Sequence, residues 1–139
     1  MTGQAFTNDE QSTLAALVAQ IIPASETFNQ PGADDPEILN DIVTSGAHLR
    51  DRLALALASL SGEMPVNAAK ATAFRQGFPA EADMIQTLTA QCYYRDARVM
   101  RALNIEVRPP FPKGYTQEPN DFALLEPVRQ RGEIYRTLP

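Results

Sequence analysis

Cysteine and histidine each occur once in the 139 residues, and tryptophan does not occur. One thiol cannot form an internal disulfide, and one thiol with one imidazole cannot build a Cys/His zinc cluster. A cysteine-held iron–sulfur cluster and a Cys-x-x-Cys-His haem attachment are excluded by the same count. The seven glycines are dispersed, and no two stand close enough for a dinucleotide fingerprint or a P-loop. The longest uncharged run, Gln11 to Ser25, is too short, too polar and too interrupted by Pro23 to span a bilayer. The opening MTGQAFTNDEQ has no basic n-region and no twin arginine, so no signal peptide is read. A single thiol fits a reducing compartment. A cytoplasmic location is therefore expected, with carriage to the periplasm on a partner as the alternative.

What is present describes a globular chain. The hydrophobic fraction of 44% is ordinary, and the length suits one domain with one modest core. Charge is unevenly placed: residues 1–69 hold nine acids and two bases, residues 70–139 eight acids and ten bases. The basic excess gathers in Arg95, Arg98, Arg101, Arg108 and Lys113. Such asymmetry points to a partner surface. With a net charge of -5 the whole chain repels a polyanion, which argues against nucleic acid.

The periodicity predicts an all-α protein, a small helical bundle with an extended, proline-rich C-terminal arm. Thr7 or Asn8 caps a first helix with Asp9 and Glu10 in its first turn, where the helix dipole favours acids. Leu14, Leu17, Val18, Ile21 and Ile22 form its apolar stripe, and Pro23 ends it. Asp34 or Asp35 caps a second helix with Pro36 in its first turn, burying Ile38, Leu39, Ile42 and Val43. A third, over 47–61, contains LALALASL, whose alternation suggests a strand but whose Ala and Leu content and lack of β-branching favour a helix stopped by Gly62. A short helix over Asn67–Gln76 ends at Gly77, and another starts at Pro79 with Met84, Ile85, Leu88 and Cys92 inward. At Arg95 and Asp96 the apolar phase breaks. Asp96 becomes the N-cap of a separate helix, Ala97–Leu103, stopped by Asn104, with Val99 and Leu103 inward. Beyond it only DFALLEPVRQRG reads as helical, because Pro109, Pro110 and Pro112 bar both helix and central strand. The bundle is thus expected over 1–104 and the arm, with its short helix, over 105–139, packed on the bundle or on a partner as one domain overall.

Few residues carry chemistry. His48 has Asp51 one turn later, a pair that orients a base, but no nucleophile accompanies it. Cys92 sits on an apolar face and reads as a small buried hydrophobe. Asp34, Asp35, Glu37 and Asp41 lack calcium-loop spacing and suit a solvated helix start. No Glu-x-x-His motif for a bundle dimetal site is present. Neither catalytic, cofactor-binding nor metal-binding residues are therefore assigned. The remaining candidate is a partner interface of Tyr93, Tyr94, Arg95, Arg98, Arg101, Arg108, Phe111, Lys113 and Tyr115, since Arg and aromatics concentrate at interface hot spots. The competing reading pairs these arginines with the chain's own acidic first half and uses the aromatics to pin the arm. Both can hold together.

The stretches LAALVAQIIPAS, PGADD, CYYRDARVMRALNIEVRPPFPKGY and LLEPVRQRGEIYR resemble the gluconate 2-dehydrogenase subunit 3 family over most of the chain. Members are small non-catalytic subunits of large FAD-dependent sugar or alcohol dehydrogenases of the glucose-methanol-choline type. Family members in periplasmic complexes often carry the twin-arginine signal that is missing here. In the subgroup of small members that the C-terminal block resembles, Pro and Gly commonly stand where this chain has Ala97 and Asn104. The resemblance implies that flavin and catalytic histidine lie on the large partner, that this chain binds no cofactor, and that it stabilises the partner, helps it fold, or completes one wall of its substrate or electron path. Two other classes remain: a scaffold or regulatory module docking on an unrelated protein, and a small cofactor-free enzyme using His48 with a carboxylate or Tyr115.

Overall fold

In the computed structural model, which describes residues 5–107 and 119–132, the chain divides into two compact units, residues 1–107 and 108–139. All regular structure among the described residues is helical, apart from an isolated bridge between Ser25 and Gln30. The first unit holds α1 (Asn8–Ile21), α2 (Pro36–Ser45), α3 (Arg50–Leu60), α4 (Ala68–Gly77), α5 (Pro79–Arg95) and α6 (Ala97–Ala102). The second holds a 3₁₀ turn, Phe122–Leu125, running into α7 (Glu126–Arg131).

Helix α1 begins where its sequence predicts. The Thr7 hydroxyl accepts from the Glu10 amide while the Glu10 carboxylate accepts from the Thr7 amide, a reciprocal capping box. Leu14, Leu17 and Val18 are buried, whereas Ile21 and Ile22 are half-buried. Burying each large aliphatic side chain stabilises by about 1.5–3 kcal/mol against about 1 kcal/mol for a cap. Packing therefore holds α1, and the cap sets its starting point.

Helix α5 is the centre of the unit and packs against α1, α2, α3, α4 and α6. Its inward positions, Ile85, Leu88, Thr89, Cys92 and Tyr93, follow the three-and-four spacing of one helical face. The buried Thr89 hydroxyl donates to the Ile85 carbonyl one turn back, at 2.7 Å, so that hydroxyl is satisfied. Close approach of α2 to α5 depends on Gly46. A Cβ there would lie 2.6 Å from Leu88 Cδ2 and 2.8 Å from the Ile42 carbonyl oxygen.

The LALALASL segment is helical. Leu53, Ala56, Leu57 and Leu60 face the core while Leu55 is 77% exposed, a division a strand could not make, since it would place Leu53, Leu55 and Leu57 on one face. The helical region opens with a 3₁₀ turn at Ala47–Leu49, and α3 ends at Leu60, two residues before the left-handed Gly62.

At the far end of α5 the phase break becomes a joint. Asp96 is extended (φ -64°, ψ 131°), and its carboxylate accepts from the amides of Arg98 and Val99. After the six residues of α6 and the cap residue Leu103, Asn104 turns left-handed, with φ 58°. The Ile105 amide donates to the Met100 carbonyl and the Asn104 amide to the Arg101 carbonyl, a Schellman closure. Val99 is buried as expected, but Leu103 is exposed: α6 stops at Ala102, and Leu103, as the cap residue, leaves the helical phase that would have turned it inward.

Candidate docking surface

The surface is built by α6 and the loop joining α1 to α2. The loop is closed by reciprocal bonds between Ser25 and Gln30, 3.0 and 2.9 Å, with left-handed Asn29 at the turn. Tyr93 fastens it from beneath. Its hydroxyl donates to the Pro31 carbonyl at 2.9 Å and lies 3.1 Å from Gln30 Oε1. Tyr93 is 2% exposed, and burial raises its phenol pKa. Its expected place on the contact surface is thereby corrected: position 93 lies on the inward stripe of α5, four residues beyond Thr89. Tyr94, next in the chain, is exposed and meets the Tyr93 ring edge-on at 5.3 Å between centroids.

Two of the three clustered arginines are engaged within the chain. Arg95 grips Asp41 of α2 through Nε to Oδ2 at 2.6 Å and also donates to the Ser45 hydroxyl. Arg98 holds Asp35 in a fork, with Nη2–Oδ1 at 2.7 Å and Nη1–Oδ2 at 3.2 Å. It also holds Asp96, with Glu37 at 3.4 Å. The Arg98 hydrogen bonds hold the Asp35 and Asp96 carboxyls below the usual carboxylate range, and Arg95 does the same for Asp41. The two carboxylates in turn raise the pKa of Arg98. Arg95 and Arg98 thus follow the competing reading: they staple α5 and α6 to the acidic first half. Forked, partly buried pairs carry more geometric information than ordinary surface pairs.

Arg101 differs. It is exposed and makes no ion pair among the described residues. It stands between two open recesses. One, of about 680 Å³, lies between α6 and the loop and is lined by Ser25, Asn29, Gln30, Arg98 and Ala102. The other, of about 440 Å³, runs along Asn104 to Val107. Phe28, on the same loop, is 73% exposed, and Leu103, Ile105 and Val107 follow exposed. The sequence assigned none of these four to the interface, and its spacing turned Leu103 inward. Their signal was available in Leu-Asn-Ile-Glu-Val, apolar at every second position after a helix stop, and in a lone phenylalanine within a polar loop. Arg108, Phe111, Lys113 and Tyr115 lie outside the described residues.

The second unit carries its own exposed apolar face. Phe122, Leu125 and Val128 recur three apart with Leu124 beside them, and all four are exposed, Leu124 by 76%. Asp121 caps the turn by accepting from the Ala123 amide.

The other chemical candidates do not assemble. His48 is exposed, with Nδ1 2.9 Å from the Ser45 carbonyl, while Asp51 pairs with Arg50 at 3.5 Å. Cys92 is buried, and burial, with Asp41 nearby, pushes its thiol up and away from the reactive thiolate. Among the described residues no group of three or more His, Cys, Asp or Glu is arranged to hold a metal ion. No helix among them is long and apolar enough to cross a membrane. No family model matches the chain, and no curated protein and no solved structure is significantly similar to it.

Proposed function

We propose that the chain is a non-catalytic accessory subunit that docks on a larger protein through the α6 face and the segments that follow it. The observation that carries this reading is that exposed Ile105 and Val107 share a recess with Arg101, a charge with no internal ion pair among the described residues, while Phe28 and Leu103 are exposed on the segments that line the two recesses. Isolated apolar side chains are ordinary on a surface, but exposed aliphatic and arginine side chains bordering one recess, with an exposed aromatic on the loop that lines the next, have the composition of a protein interface. The exposed apolar turn of 122–128 adds a second contact of the same chemistry. The nature of the partner comes from the resemblance of CYYRDARVMRALNIEVRPPFPKGY and the companion stretches to the small subunits of large FAD-dependent dehydrogenases. On this reading the partner holds the flavin and the catalytic groups, and this chain steadies it.

The test is affinity capture from the native cell with the tagged chain, followed by mass spectrometry and a flavin spectrum of the eluate. A large flavoprotein should co-purify in fixed ratio, and the Phe28→Ser/Arg101→Glu variant, folded by circular dichroism, should lose it. A large partner without flavin would overturn the dehydrogenase assignment. Undiminished capture by the variant would overturn the placement of the surface.

A further inference from the structure

Away from that surface, α1, α4 and α5 enclose a recess of about 240 Å³. Leu17 and Ile21 of α1, Phe74 of α4 and Ile85 of α5 supply its walls. Ala71 and Ala82 stand where larger side chains would fill it, so the space follows directly from the sequence. A dry apolar cavity of about 150 Å³ accepts benzene, so this one has room for a body of about six to eight carbons.

Its rim is not apolar. Arg75 lines the mouth, and its sole hydrogen bond among the described residues is a long one, 3.4 Å, to Gln86 Oε1. Arg50, Arg95 and Arg98 each hold a carboxylate of the chain, but no carboxylate lies within ion-pair distance of Arg75 among the described residues. The Thr72 hydroxyl, also at the rim, is spent on the Ala68 carbonyl at 2.8 Å. A greasy slot with one open guanidinium at its mouth has the arrangement of polar and apolar groups that recognises an amphipathic anion.

We propose that this recess binds a small monocarboxylic acid, its hydrocarbon chain among Leu17, Ile21, Phe74 and Ile85 and its carboxylate on Arg75. The site is independent of the docking surface.

The test is calorimetric titration of the full chain with sodium octanoate and, in parallel, 1-octanol, with amide NMR locating the site. Octanoate should bind saturably and shift the resonances of Ile21, Phe74 and Ile85. Arg75→Gln should weaken octanoate by roughly tenfold, the worth of one charge-assisted hydrogen bond, and leave octanol unchanged. Ala71→Leu, which fills the slot, should abolish both. Should that variant fail to fold, Thr72→Met at the mouth serves the same purpose. Absence of saturable binding, shifts confined to other residues, or a folded filled variant that binds like the parent would each overturn the proposal. So would equal loss of octanol and octanoate in Arg75→Gln.

Discussion

Replacing Tyr93 by Phe removes one oxygen atom and keeps the ring in the core. That oxygen donates to the Pro31 carbonyl at 2.9 Å and lies 3.1 Å from Gln30 Oε1, joining α5 to a loop more than sixty positions away. A neutral hydrogen bond of this kind is worth about 1 kcal/mol net, and an orphaned carbonyl adds about 1–3 kcal/mol. Pro31 and Gln30 are half-buried, so water reaches the orphaned group and the lower end applies. The total is about 2 kcal/mol, or roughly 8 °C in Tm for a unit of this size. Thermal unfolding followed by circular dichroism measures it. Tyr94→Phe is the matched control: its hydroxyl belongs to an exposed side chain, so its removal should change stability by less than about 0.5 kcal/mol. Equal Tm values for the two variants would refute the account of the loop's attachment.

Three other outcomes follow from the same geometry. Asp96→Ala removes the acceptor for the Arg98 and Val99 amides and should destabilise the fold by about 1 kcal/mol, read from the urea midpoint; Asp96→Asn, which keeps an acceptor, should lose less. Gly46→Ala forces a methyl against Leu88 and the Ile42 carbonyl and should cost about 1–3 kcal/mol, whereas Gly77→Ala, with open space at its Cβ and no positive φ, should be neutral or stabilising in the same assay. Asp35, Asp41 and Asp96 have folded pKa values below their unfolded ones, so their contribution is complete above the unfolded value near 3.8 and disappears as pH falls through the folded values. The urea midpoint should hold steady down to about pH 5 and then fall, with a shallower fall at about 1 M salt, because these pairs are partly exposed.

Local signals were legible in the sequence where the backbone answers to its neighbours. Thr7 or Asn8 before Asp9 and Glu10, Asp34 or Asp35 before Pro36, and Asp96 with Asn104 mark helix ends through bonds made within a few residues, and the structure places the boundaries at Thr7, Asp35, Asp96 and Asn104. Burial of Leu14, Ile38 and Ile85 was equally readable, because each belongs to an apolar stripe at helical spacing. What escaped depends on partners distant in the chain. The Asp35–Arg98 and Asp41–Arg95 pairs join positions more than fifty apart, and spacing alone does not choose between a free and an engaged arginine. Tyr93 was misassigned despite a local signal, since Ile85, Thr89 and Tyr93 recur every fourth residue along the buried face. Leu103 turned on one residue of helix length.

The fork between Asp35 and Arg98 binds the mutational fate of several positions. Asp35 Oδ1 accepts from the Glu37 amide at the start of α2 and from Arg98 Nη2 of α6. Losing Arg98 alone would leave Asp35 and Asp96 facing each other without the cation between them, and losing Asp35 would remove a helix cap as well as a partner. Neither can drift independently. Descendants of this sequence that give up the arginine should also have exchanged one of the two acids for a neutral side chain, most economically Asn at 35, which keeps the cap. Positions 35, 96 and 98 should therefore vary as a set, though no stretch of sequence holds all three.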